Sequence, residues 1–66
     1  MNILLLILVL LSPIGTRNGD KRILPVTSIE HASYLASDYN RNAKEPERWV
    51  SVIVEVDFSS GRLIER

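Results

Sequence analysis

Apolar residues fall along this chain in three different rhythms. The first fifteen residues, MNILLLILVLLSPIG, are apolar without a break from Ile3 to Leu11 and carry no charged side chain. From Ile29 to Ala43 apolar positions recur at three- and four-residue steps. From Trp49 to Phe58, WVSVIVEVDF, they alternate. Each rhythm predicts a different element.

The unbroken run fits the h-region of a secretory signal. Nine residues in a helix rise about 14 Å, well short of a hydrocarbon core of about 30 Å. Met1–Gly15 is therefore expected to be a cleaved leader, cut after Gly15 or within the next four residues, although the n-region lacks Lys and Arg and Pro13 stands at the −3 position. Secretion to the extracellular space follows from that expectation. Residues 16–26 then read as an extended polar segment with a turn at Asn18-Gly19. Pro25 holds Leu24 away from helical backbone.

The helical rhythm predicts a helix from about Ser28 to Asn42. Thr27 and Glu30 have capping-box spacing, which would satisfy two backbone donors at the helix start. Ile29, Ala32, Leu35, Ala36, Tyr39 and Ala43 form one apolar stripe, with Ser33, Ser37, Asp38 and Arg41 turned away. Asp38–Arg41 and Arg41–Glu45 are spaced for weak ion pairs. Pro46 prevents continuation.

The alternating rhythm predicts a strand. Val50, Val52, Val54, Val56 and Phe58 lie on one face; Trp49, Ser51, Ile53, Glu55 and Asp57 lie on the other. The helix stripe is expected to cover the valine face. Ser59-Ser60-Gly61 supplies a turn, and residues 62–66 return as a short second strand. The fold expected is α+β: a leader (1–15), a polar segment (16–26), and a helix on a short antiparallel hairpin (27–66). Such a hairpin leaves one strand face and one strand edge open. An open valine-rich edge is a template for another strand, so a protein partner or a second copy is expected there. Trp49 and Ile53 are the candidate contact residues, Trp being enriched at interface hot spots.

Composition narrows the chemistry. All eight basic and all eight acidic residues lie beyond Gly15, and the chain is formally neutral. Nothing there favours nucleic acid, and a neutral body without a basic helix face gives the mature form no membrane affinity. There is no cysteine, so no disulfide compensates for a small core. His31 is the single histidine and sits in the first helical turn, where a solvated structural role is expected. Glu55 and Asp57 share a strand face as solubilising charges. No metal, cofactor or catalytic constellation is implied, and an enzyme is not expected. Lys21-Arg22 is a dibasic pair, which gives the alternative of a secreted signalling-peptide precursor processed at that doublet.

In HASYLASDYNRN, the alanines four apart (Ala32, Ala36) followed by Tyr39-Asn40, and the strand WVSVIVEV after a short loop, the chain resembles the cystatin-like superfamily over roughly Val26–Phe58. The resemblance implies one long helix laid across an antiparallel sheet. Inhibitory cystatins enter the protease cleft with a Gln-x-Val-x-Gly loop; this chain has Ser59-Ser60-Gly61 there and lacks the later Pro-Trp loop. A reduced cystatin-like protein that binds protein partners is the expectation, without protease inhibition being implied.

Overall fold

The computed structural model describes residues 2–12 and 19–66. The expected cleavage point at Gly15 and residues 16–18 of the polar segment lie outside the described residues. Four strands and one helix follow in the order β1 (Asn2–Leu11), β2 (Lys21–Val26), α1 (Ile29–Arg41), β3 (Arg48–Asp57) and β4 (Arg62–Glu65). The strands form one antiparallel sheet in the order β2-β1-β3-β4, and α1 packs on one side of it. The α+β class and the helix-on-sheet arrangement hold. The sheet is twice as wide as the expected hairpin.

The added width comes from the segment expected to be a leader. Asn2–Leu11 is β1, a central strand. It pairs with β3 along its whole length, from Asn2 opposite Asp57 to Leu11 opposite Arg48, and with β2 on its other side. A strand that is apolar on both sides reads as a continuous run, which sequence periodicity does not separate from an h-region. Leu6, Leu8 and Leu10 point towards α1 and are fully buried. Each such leucine contributes about 1.5–3 kcal/mol of burial.

The helix starts one residue later than the Thr27–Glu30 box would have it. Ser28 is the N-cap, in extended backbone, and its Oγ accepts from the His31 N–H at 3.0 Å. The imidazole supplies the reciprocal half of the cap: the Thr27 N–H donates to His31 Nδ1 at 3.2 Å. Thr27 and Glu30 do not carry the cap; Ser28 and His31 do. At the far end Asp38 accepts from the Arg41 guanidinium at 2.7 Å, the predicted i,i+3 pair.

The sheet face under the helix differs from expectation. The core that α1 covers consists of Leu6, Leu8, Leu10, Val26, Ala32 and Trp49, with Leu4, Leu24, Leu35, Ala36, Tyr39, Ala43 and Ile53 around it. These are the Trp49–Ile53 face of β3 and the even-numbered face of β1. The valines of β3 lie on the opposite side. Ile29, expected in the buried stripe, is 51% exposed.

Candidate interaction face

Strand register determines which side chains share a face. Ile7 is opposite Val52 and Val9 opposite Val50 across β1–β3, and Ile7 is opposite Ile23 across β1–β2. Leu63 of β4 is opposite Val56. The odd-numbered residues of β1, the valines of β3, Ile23 and Pro25 of β2, and Leu63 therefore form one surface. Among the described residues no element covers it. Val50 is 45% exposed, Val52 37%, Ile23 60% and Leu63 71%.

The two faces of the sheet treat their uncovered parts differently. Where α1 does not reach on its own side, near the Asn2 end of β1, the surface is mostly polar, with Ile64 as an exposed apolar residue opposite Glu55. Glu55 there accepts from the Asn2 amide, from Arg66 Nε at 2.9 Å, and from a second guanidinium nitrogen of Arg66. The Asn2 bond first, then Arg66, holds the Glu55 carboxyl below its ordinary value. Asp57 is lowered likewise, by the side chains of Ser59 and Ser60. On the opposite side the uncovered surface is apolar across all four strands. Its charged residues are Lys21, at the start of β2, Arg48, at the start of β3 opposite Leu11, and Glu65, at the end of β4. Monomeric soluble proteins rarely expose contiguous apolar patches beyond a few hundred Å² unless the patch binds something.

The two predicted contact residues sit on the helix side. Trp49 is buried, with 7% of its surface exposed. Its ring meets Tyr39 edge-on, centroids 5.2 Å apart at 75°, and the Arg22 guanidinium lies 5.7 Å from its centroid. Its backbone is held as well: the Trp49 N–H donates to Asn40 Oδ1 at 2.7 Å, and Asn40 Nδ2 donates to the Trp49 carbonyl at 3.0 Å. Ile53 is half-buried beside the core. Both residues build the monomer core.

The open edge expected on WVSVIVEVDF is also largely taken. One edge pairs with β1. On the other, β4 pairs with Val54–Asp57, the Arg66 N–H donates to the Ile53 carbonyl at 2.7 Å, and Asn40 binds the backbone at Trp49. The sheet's edge strands are β2, which contains Pro25, and the four-residue β4. Neither offers a long regular template.

A groove of about 490 Å³ opens beside Trp49, lined by Leu10, Arg22, Tyr39, Lys44, Glu47 and the indole among others. Its charges are of both signs. Lys21 and Arg22, the candidate processing pair, lie within β2 opposite Val9 and Leu8. Cleavage after Arg22 would require β2 to leave the sheet. Among the described residues, no helix is long and apolar enough to cross a membrane.

The face was missed in the sequence because half of it comes from residues assigned to a leader and the other half was assigned to the helix. The available signal was the second apolar side of the Ile3–Leu11 run, which a one-helix fold has no means of covering. No family model, curated protein or solved structure matches the chain.

Proposed function

We propose that this chain is a non-enzymatic binding protein whose apolar sheet face, centred on Ile7 and Val52, is the contact surface for a protein partner. The observation that supports this is the contrast between the two sides of the sheet. The exposed corner on the helix side is mostly polar, with Asn2, Glu55, Asp57, Arg62 and Arg66, whereas the opposite side is apolar except for Lys21, Arg48 and Glu65 at its margins. A side-chain pattern selected only for solubility would place polar residues on both. The test is site-specific photocrosslinking in cells expressing the full chain. A crosslinker at Val52 should give discrete protein adducts, whereas one at the exposed Ser33 on α1 should not. Equal labelling from both positions, or none from Val52, overturns the reading.

A second reading is favoured by the nine-residue uncharged run at Ile3–Leu11. In it Met1–Gly15 is a leader, the chain is secreted, and the product lacks β1; processing at Lys21-Arg22 would then release a signalling peptide from Ile23 onward. The intact mass of the chain, in cells and in medium, separates the two. Retention of Asn2–Leu11 supports the sheet-face reading, and a mass beginning near Thr16 or at Ile23 supports the second. A cystatin-like relationship is proposed on the helix lying across an antiparallel sheet. Because Ser59–Gly61 lacks the Gln-x-Val-x-Gly motif, insertion into a protease cleft forms no part of the proposal.

A further inference from the structure

We propose that the groove beside Trp49 is a binding site for a small organic acid, a carboxylate carried on a planar apolar body. The site lies on the helix side of the sheet and does not depend on the sheet-face reading. Three features support it: where the helix stops, which charges in the groove are already engaged, and how Arg22 is held.

The groove arises because α1 is shorter than the strands beneath it. Its 13 residues rise about 20 Å, whereas the 10 residues of β1 and of β3 extend about 34 Å. The helix ends at Arg41, and the Leu10–Trp49 pair lies near the far end of the two strands. That end is walled by Tyr39 and Ala43, by Lys44 and Glu47 of the connection to β3, and by Arg22 of β2, around a space of about 490 Å³. Sites for small ligands span about 300–1,000 Å³.

Four charged side chains line this space: Arg22, Lys44, Asp38 and Glu47. The two acids are engaged. Asp38 accepts from the Arg41 guanidinium at 2.7 Å, and Glu47 is not free either. The helix end is answered as well. The Asp38 carbonyl accepts from the Asn42 N–H at 3.2 Å and from Asn42 Nδ2 at 2.9 Å, and the Asn40 carbonyl from the Ala43 N–H at 3.3 Å. The two bases are open. Among the described residues Lys44 forms no ion pair, and the Arg22 side chain makes one hydrogen bond, from Nη1 to the Lys21 carbonyl at 2.8 Å. The charge left without a counterpart in the groove is positive, and a carboxylate supplies one.

Arg22 is also preorganised. Its guanidinium stands 5.7 Å from the centroid of the Trp49 ring, and its bond to the Lys21 carbonyl holds one end of the fork. A guanidinium held in this way loses less freedom on binding, and its remaining N–H groups match the two oxygens of a carboxylate. The apolar part of the site is equally fixed. Tyr39 meets Trp49 edge-on, Asn40 holds the Trp49 backbone, and Leu10 lines the groove beside them. Rigid aromatic surface beside an open guanidinium selects a ligand that is planar and apolar at one end and anionic at the other.

Trp49 is the single tryptophan of the chain, so its fluorescence reports on the groove. The test is titration of the full chain with 3-phenylpropionate, with 3-phenylpropanol and 3-phenylpropylamine as uncharged and cationic counterparts. The acid should shift the emission saturably, with a dissociation constant on the order of 1 mM for a ligand of this size. The alcohol should bind about tenfold more weakly and the amine should give no saturable shift. Arg22→Gln should weaken binding of the acid about tenfold, Arg22→Lys less, and Lys44→Gln about threefold. Because Arg22 touches the Trp49 ring, Lys44→Gln on the exposed connection supplies an arm that leaves the surroundings of the ring intact. Absence of a saturable shift with the acid overturns the inference, as do equal affinities for acid and alcohol. Folded Arg22→Gln and Lys44→Gln chains that bind the acid as the unaltered chain does overturn it too. The sheet-face reading is tested separately, by crosslinking at Val52.

Discussion

Asn40 shows how a single side chain can stand in for a strand. Its amide presents an acceptor and a donor with the spacing of a peptide group, and it engages the N–H and the carbonyl of Trp49. The backbone at the start of β3, beyond the reach of β4, is thereby satisfied by the helix. Removing the amide leaves a half-buried pair of polar groups without partners, which costs about 1–3 kcal/mol. Asn40→Ala should lower stability by that amount in urea unfolding followed by Trp49 fluorescence. Asn40→Asp, which keeps the acceptor and loses the donor, should fall between. A change below a few tenths of a kcal/mol for Asn40→Ala would show that water replaces the amide freely. Tyr39 and Asn40 stand out in the sequence as a pair. That they reach Trp49 is not legible there, because the contact depends on the path of residues 42–47 between helix and strand.

At the level of elements, local signals worked and face assignment did not. The helix, β3 and β4 are legible from periodicity, turn residues and Pro46. The cap moved from Thr27 to Ser28 because both hydroxyls offer the same chemistry, and the imidazole of His31 accepts where Glu30 was expected to. Ser28→Ala should therefore destabilise by about 1 kcal/mol, with Thr27→Ala costing less, in paired thermal melts. The faces of β3 were assigned by placing the most apolar side under the helix. That rule fails once β1 joins the sheet, because its even-numbered leucines already fill the space beneath α1, and Trp49 then gains Tyr39 and Asn40. The Asn2 end of the β1–β3 pairing has its own pH signature. Glu55 and Asp57 have folded pKa values below their unfolded ones. Their contribution is full above pH about 4.5 and is lost as pH falls through the depressed values. The midpoint of thermal unfolding should drop below that pH, and Asn2→Ala together with Arg66→Ala should shrink the drop by removing the partners of Glu55.

For the whole molecule the decisive question is whether the nine apolar residues at Ile3–Leu11 stay. With β1 in place the sheet is continuous, and Leu6, Leu8 and Leu10 are the largest fully buried side chains. Without it, β2 has no neighbour, β3 keeps only its four-residue pairing with β4, and the core under α1 loses its centre. The loss of three buried leucines at about 2–5 kcal/mol each exceeds the whole stability expected of so short a chain. A chain beginning at Thr16 should therefore lack the near-ultraviolet dichroism of a fixed Trp49 and exchange its β3 amides within seconds. Adding a synthetic peptide of residues 1–15 should restore part of both signals, as a missing central strand does when it rebinds. If the shortened chain instead folds cooperatively by itself, β1 is dispensable and the leader reading gains. The same comparison bears on the sheet face, since β1 supplies its middle row. On the proposed sheet-face reading, fold and interface make one requirement of the same strand, with even-numbered residues serving the first and odd-numbered residues the second.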